Sequence, residues 1–449
     1  MSSRINSGIF LLSFMKKSLF EDDFLWGAGI SAHQVEGGND NNWTEWELAN
    51  ATRLAKAAPN KYGYLPNWPK IKPQATDPRN YVSGRAAEHK KHFKEDFELL
   101  RSLNLNTLRF SIEWSRIEPV EGQFNKAALR YYKTYFNELK RQGIKPVVTL
   151  WHWTTPKWFE SKGGFLKRSN IKYFEQFVEV ITKAFGNDFT YVTILNEPML
   201  YTYYSFKDGK WPPQEESIFK YLKVVFNLIR AHKKAAKVLL KFREDYKIGI
   251  AHNVADFYRG DNKLSTKLNV KFLNYINNFF FLDRIKKYLD FVGVNYYFAD
   301  RHYGFGFFGK NPDRNRNDMG WSMEPARISN AVYSIWCRYR LPTMITENGV
   351  ADSTDKYRKW WIGETLKELI KLKKKGVNLI GYIHWSLLDN FEWAEGHWPK
   401  FGLISVNRKT GERKIRPSAK WFANIIQRIQ SPGPRSEPVT AAKEVDKLK

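Results

Sequence analysis

The chain has 449 residues, 43% hydrophobic and 27% charged, enough apolar material for a large buried core and too much for a disordered polyelectrolyte. Cys337 is the single cysteine, which excludes an internal disulfide framework and makes the cytoplasm the default compartment. Lys and Arg number 73 against 46 Asp and Glu, a net charge of +27, but no zinc-finger spacing, basic zipper or RNA-binding aromatic signature accompanies it, so no nucleic-acid partner is expected.

Residues 1–21 read as an N-terminal extension, and Met15 offers a second start just ahead of the first strand-like run. The apolar stretch 8–14 is too short to span a bilayer, which takes roughly 18–20 residues, and it lacks a small-residue cleavage site. No membrane partner is expected. From residue 22 to residue 430 the chain reads as one catalytic unit without an interdomain linker. The segment 431–449, with Pro432, Pro434 and Pro438 and mixed charges, reads as a disordered tail.

Short runs rich in β-branched and aromatic residues recur at 24–30, 107–112, 146–151, 191–195, 248–252, 291–296, 343–346 and 379–385. Most are continuously apolar, as strands covered on both faces require, and helical pattern separates them. The clearest helix starts after Asn125, carries Leu129, Tyr132, Phe136 and Leu139 on one face and stops at Gly143. Eight such units predict an α/β fold, a single (β/α)8 TIM barrel. Long loops at 36–82, 200–216 and 298–325 are expected to crown the face formed by the C-terminal ends of the strands. Between 354 and 376, seven Lys and one Arg face three acids, while Trp360, Trp361, Leu366, Leu369, Ile370 and Leu372 recur at helical spacing. The lysines there read as a solvated outer face.

Strand four ends in Asn196-Glu197-Pro198 and strand seven in Glu347-Asn348-Gly349. These are two carboxylates at strand ends, each beside an amide. Placed about 5 Å apart, one is pushed toward the neutral acid while the other stays an anion, the division of labour of retaining glycoside hydrolysis.

The ordered segments around them carry a resemblance. Phe24-Leu25-Trp26-Gly27-Ala28-Gly29 leads into Ala32-His33-Gln34-Val35-Glu36-Gly37, and Arg109-Phe110-Ser111-Ile112-Glu113-Trp114-Ser115-Arg116-Ile117 precedes His152-Trp153. Gly293-Val294-Asn295-Tyr296-Tyr297 lies between the two carboxylate segments, and Trp385-Ser386-Leu387-Leu388-Asp389-Asn390-Phe391-Glu392-Trp393 follows them. Over about residues 22–428 the chain resembles glycoside hydrolase family 1, the retaining β-glucosidase and β-galactosidase family. The resemblance implies hydrolysis by double displacement, with Glu197 as general acid and base and Glu347 as nucleophile. It implies that Arg109 and Tyr297 orient the nucleophile, and that Gln34, His152, Asn196 and Glu392 bind sugar hydroxyls. Trp385 and Trp393 match the stacking platform and a further hydroxyl donor, Trp153 flanks the pocket, and Trp321 matches a position on the leaving-group side. The expected partners are small β-glycosides or β-linked oligosaccharides. No metal and no cofactor is called for, and homo-oligomerisation stays open.

Thr154-Thr155-Pro156 departs from the family's usual Asp-Leu-Pro, so the wall beyond the sugar pocket is expected to differ. The loop 300–318, with Phe305, Phe307, Phe308 and several arginines, is unfamiliar. Phe391-Glu392-Trp393-Ala394-Glu395-Gly396 resembles members acting on unphosphorylated sugars. An aromatic acceptor side would let an alcohol compete with water, so transglycosylation is expected beside hydrolysis. Two motifs are set aside. Gly304 to Gly309 satisfies G-x-G-x-x-G, but no helix start follows. His89 and His92, near Glu88 and Glu95, read as a polar helix face rather than metal ligands. A non-catalytic carbohydrate-binding relative and a polyanion binder are the rival readings.

Overall fold

In the computed structural model, which describes residues 20–306, 309–311 and 315–430, the eight apolar runs form strands. These are β1 (Leu25–Gly29), β2 (Thr107–Ser111), β3 (Lys145–Trp151), β4 (Tyr191–Asn196), β5 (Lys247–Asn253), β6 (Val292–Tyr296), β7 (Thr343–Asn348) and β8 (Leu379–Trp385). Each pairs in parallel with its neighbour in the chain. β8 closes on β1, from Leu25 opposite Gly381 to Gly29 opposite Trp385. Every residue of β1, β2, β6 and β7 is buried, because side chains alternate between the barrel interior and the underside of the helical layer. Inside, Leu25, Val147, Phe291, Met344 and Ile383 pack together toward the strands' N-terminal ends, which leaves the opposite end free for polar groups.

The outer layer includes α1 (Asn42–Tyr62), α2 (Lys126–Arg141), α3 (Ile218–Phe242), α4 (Leu264–Asn274) and α5 (Arg358–Lys374). α2 begins where expected: Asn125 Oδ1 accepts from the N–H groups of Ala127 and Ala128, and Tyr132, Phe136 and Leu139 are buried. α5 buries Trp361, Leu366, Leu369 and Ile370, while Lys367 and Lys371 pair with Glu364 and Glu368 outside. Lys359, Lys371, Lys374 and Lys375 are solvated as expected, but Lys373 is tucked over Phe20 and Phe24 and pairs with Glu21.

The stretch 36–82 is not the loop that was expected, because most of it is α1 and the shorter helix Trp68–Ala75. Asn41 starts α1 with a capping box, its side chain accepting from the N–H of Trp43 and Thr44 while its own N–H donates to Thr44 Oγ1. Trp43, Trp46, Ala51, Ala55 and Ala58 then turn inward. Within 298–325, Ala299–His302 is a strand paired with Asp256–Arg259. His89 also departs from its expected place on a polar face. It is buried, with Asp96 Oδ2 at 2.7 Å and the Tyr135 hydroxyl at 2.9 Å, and only His92 lies outside. The extension up to residue 19, Phe307, Phe308 and the tail 431–449 lie outside the described residues. Among the described residues no helix is long and apolar enough to cross a membrane.

Candidate active site

Barrel register brings the strand ends level. Asn253 on β5 stands opposite Asn295 on β6, and Asn295 opposite Glu347 on β7. Glu197 follows the last residue of β4, where a φ of 41° turns the chain out of the strand and into the helical turn Pro198–Thr202. Such a left-handed backbone is uncommon for a non-glycine residue. At Gly349, just past β7, an added Cβ would stand 1.8 Å from the Trp385 carbonyl oxygen. Only glycine lets the ends of β7 and β8 approach so closely.

The two carboxylates are both buried, at 3% and 4% exposure, yet their surroundings differ in kind. Glu347 Oε1 accepts from Arg109 Nη1 at 2.5 Å, and Oε2 accepts from the Tyr297 hydroxyl at 2.7 Å. Burial, then the charge of Glu347, keeps the Tyr297 phenol protonated, with its pKa well above the usual 10. Among the described residues no cation forms an ion pair with Glu197. Its Oε1 accepts from Asn295 Nδ2 at 2.8 Å and from Asn253 Nδ2 at 3.5 Å. Burial, and next the charge of Glu347, push its carboxyl up to about 8 against the smaller lowering effects of the two amides and of the Arg109 charge.

Asn196 ties this centre together. Its Oδ1 accepts from Arg109 Nη2 at 2.6 Å and Asn295 Nδ2 at 3.3 Å, and its Nδ2 donates to His152 Nε2 at 3.0 Å. Burial, then the nearby Arg109, holds the His152 imidazole neutral, far below its usual 6.5. With Nε2 accepting, the proton sits on Nδ1, which is buried without a protein partner among the described residues. Gln34 Nε2 donates to the Phe391 carbonyl at 2.8 Å and reaches Glu392 Oε2 at 3.5 Å. Burial first, then Glu347 and Glu197, raise the Glu392 carboxyl to about 8, opposed by a hydrogen bond with Trp385.

Aromatic rings crowd around this centre. The His152 ring stacks with Trp385 and with Trp393, at centroid distances of 5.9 and 5.8 Å. Trp153 packs on Trp393 and Trp211 and donates its indole N–H to the Asn196 carbonyl at 2.9 Å. Trp321 stands farther out, half-buried against Tyr297, Phe298 and Phe401. At the departure from the family pattern, Thr154 Oγ1 donates to Glu113 Oε2 at 2.9 Å and Thr155 Oγ1 to Glu160 Oε1 at 2.5 Å.

Two residues beside Glu197 had no role in the sequence reading. Asn253 and Asn295 both sit at strand ends, the position that singled out the carboxylates, and Asn295 belonged to a quoted motif. Thr346 Oγ1 holds Asn295 through its Oδ1 at 2.7 Å, which leaves the amide N–H groups to face Glu197 and Asn196.

A closed β/α barrel with buried carboxylates at its strand ends, one clamped by arginine and tyrosine and one made hard to ionise, defines a glycoside-cleaving enzyme. The chain belongs to glycosyl hydrolase family 1, whose family model matches residues 16–287 and 282–430. It is a β-glycosidase. Beta-glucosidase A of Thermotoga maritima is 29% identical over 92% of this chain and 99% of its own length. Beta-glucosidase A of Acetivibrio thermocellus is 28% identical over 92% and 99%. Among solved structures, a beta-glycosidase from Pyrococcus horikoshii superposes with a TM-score of 0.80 at 33% identity, covering 91% of this chain and 95% of that one. A beta-glucosidase from Thermotoga maritima in complex with glucoimidazole gives 0.80 at 27%, covering 92% and 99%.

Proposed function

We propose that the enzyme is a retaining exo-β-glycosidase that hydrolyses β-glucosides, β-galactosides or both by double displacement. The observation that carries this reading is the opposite setting of the two carboxylates: Arg109 at 2.5 Å from Glu347 and, among the described residues, no ion pair to a Glu197 raised to about 8. At neutral pH such a Glu197 holds a proton. In the first step Glu347 attacks the anomeric carbon, the glycosidic C–O bond breaks, and Glu197 gives its proton to the departing oxygen. A glycosyl ester on Glu347 results, and Glu197 is left as a carboxylate. In the second step Glu197 takes a proton from water as the water oxygen attacks the anomeric carbon. Glu347 leaves, and both groups return to their starting states.

His152 and Asn196 suit hydroxyl recognition. The Nδ1–H of His152 has no protein partner among the described residues, so a buried sugar hydroxyl would satisfy it. Gln34 and Glu392 supply the bidentate pair for vicinal hydroxyls, and Trp385 and Trp393 the apolar wall for the pyranose face. Relatives from Thermotoga maritima were solved in complex with deoxynojirimycin and with galacto-hydroximolactam, which supports both gluco and galacto configurations for this pocket. The rings of Trp321, Phe298 and Phe401 offer an acceptor alcohol an apolar seat, which favours some transglycosylation. The test is aryl release from a panel of nitrophenyl β-glycosides, with ¹H NMR of the first sugar product. Wild type is expected to release the β-anomer first, with Glu347→Ala and Glu197→Ala inactive or nearly so. An α-anomer appearing first, or a fully active Glu347→Ala, overturns the mechanism.

A further inference from the structure

The outer surface beside the catalytic mouth carries a combination that the barrel does not need. α3 exposes Phe219, Leu222 and Phe226 at i, i+3 and i+7, and Phe219 is 81% accessible. α4 exposes Leu264, Leu268 and Phe272 at i, i+4 and i+8, followed by Tyr275, and Leu264 is 69% accessible. The two stripes are joined. The Phe280 ring lies 6.1 Å from that of Phe226 and 6.3 Å from that of Tyr275. A soluble surface seldom leaves so many large apolar groups contiguous without use.

The two segments that carry this strip are basic, and the acids near them are Glu175, Glu215 and, flanking the second segment in sequence, Asp261 and Asp283. From 218 to 243 the chain has eight Lys and Arg and no acid, and from 262 to 282 three Lys and no acid. Lys220 and Lys234 reach Glu215 and Glu175, but Lys223, Lys237, Lys267 and Lys271 have no carboxylate within ion-pair distance among the described residues. Exposed phenylalanine and leucine interleaved with lysine is the composition of a helix that lies in a lipid interface, its apolar groups below the headgroups and its ammonium groups among the phosphates. It differs from α5, where Lys367 and Lys371 pair with Glu364 and Glu368 on the same helix. A bilayer-spanning helix takes roughly 18–20 apolar residues. Lying on the surface needs no long apolar run.

We propose that α3 and α4 form a docking surface for an anionic lipid bilayer. α3 follows β4 and α4 follows β5, so the first turns of α3 and the whole of α4 lie toward the strands' C-terminal ends. A bound bilayer would lie beside the mouth rather than behind the barrel.

The test is flotation of the full chain with vesicles of phosphatidylcholine alone and of phosphatidylcholine with phosphatidylglycerol in equal parts, across a salt series. Expected is partitioning onto the anionic vesicles at least about tenfold above the neutral ones at low salt, weakening as salt rises. The surface variants F219S/F272S and K223E/K267E should each lose about tenfold or more of that partitioning while aryl-glycosidase activity and the thermal midpoint stay unchanged. Equal partitioning onto both vesicles, or no effect of F219S/F272S, overturns the proposal. So does heparin retention that depends on the lysines in a protein indifferent to vesicles, which would make the surface a polyanion site. A concentration-dependent dimer, seen by sedimentation and abolished by F219S, would assign the apolar strip to a second copy of the chain and likewise overturn it.

Discussion

Replacing Glu197 with glutamine should make the protein more stable as it makes it inactive. A carboxyl that would ionise near 4.5 in the unfolded chain is held to about 8 in the folded one, by burial first and the charge of Glu347 second. The sign follows from proton linkage: the folded state binds the extra proton, so its penalty is absent below 4.5 and grows until pH passes about 8. Each unit costs about 1.4 kcal/mol, which makes about 3 kcal/mol at pH 7 and under about 1 kcal/mol at pH 5. Glutamine has nearly the same shape, and its carbonyl oxygen can still accept from Asn295 and Asn253. With an unfolding entropy of about 2 cal/mol/K per residue, the gain at pH 7 corresponds to a rise of about 3–4 °C in a protein of this size. The assay is differential scanning calorimetry of wild type and Glu197→Gln at pH 5, 7 and 8. A difference that does not grow with pH, or a variant less stable at pH 8, would refute the electrostatic account of Glu197.

In steady-state kinetics, kcat/KM should fall as pH rises through about 8, where free Glu197 loses its proton; Glu392→Gln should raise KM but keep that limb, and its disappearance would shift the assignment to Glu392. Arg109→Met should lower kcat by at least about a hundredfold and cost about 3–5 kcal/mol in chemical denaturation, since Glu347 would remain buried without its cation; a stable, active variant would contradict the clamp. Asn295→Ala removes a hydrogen bond that lowers the Glu197 carboxyl, so the alkaline limb should move up, and a limb moving down would show that the amide acts otherwise. Gly349→Ala should fall sharply in soluble yield or thermal midpoint because its Cβ has no room against the Trp385 carbonyl, and an unchanged midpoint would rule out that close approach.

The strands were legible because a parallel strand covered on both faces reads as an unbroken apolar run, and β2, with Leu108 and Phe110 buried around an equally buried Arg109, shows how little polarity the barrel admits. α1 was not legible, for a reason that also hid His89. A reader of sequence assigns Asn, Glu and His to the outside. Here Glu47 is buried, bonded to His33 at 2.7 Å and to the backbone and hydroxyl of Ser83. His89 is buried against Asp96, which Arg413 binds in turn from far along the chain. A polar residue satisfied by a distant partner breaks the apolar period of its helix without breaking the helix.

The candidate site divides in the same way. The carboxylates could be picked out because they stand at strand ends, and Arg109, in the middle of β2, because it lies inside a recognisable segment. What separates the chemistry of the two carboxylates could not be read from either segment. Glu347 owes its surroundings to Arg109 on β2 and to Tyr297 just past β6, and Glu197 owes its raised carboxyl to burial and to Glu347 across the barrel. Closure of β8 on β1 brings these groups to one end, and registry of β5, β6 and β7 sets Asn253, Asn295 and Glu347 level. Residue type at a strand end is therefore a local property of the sequence, whereas the raised carboxyl of Glu197 is a property of the closed barrel. Exchanging the two roles would require moving the cation, and Arg109 is locked in place by Glu347, Asn196 and the Thr346 carbonyl at once.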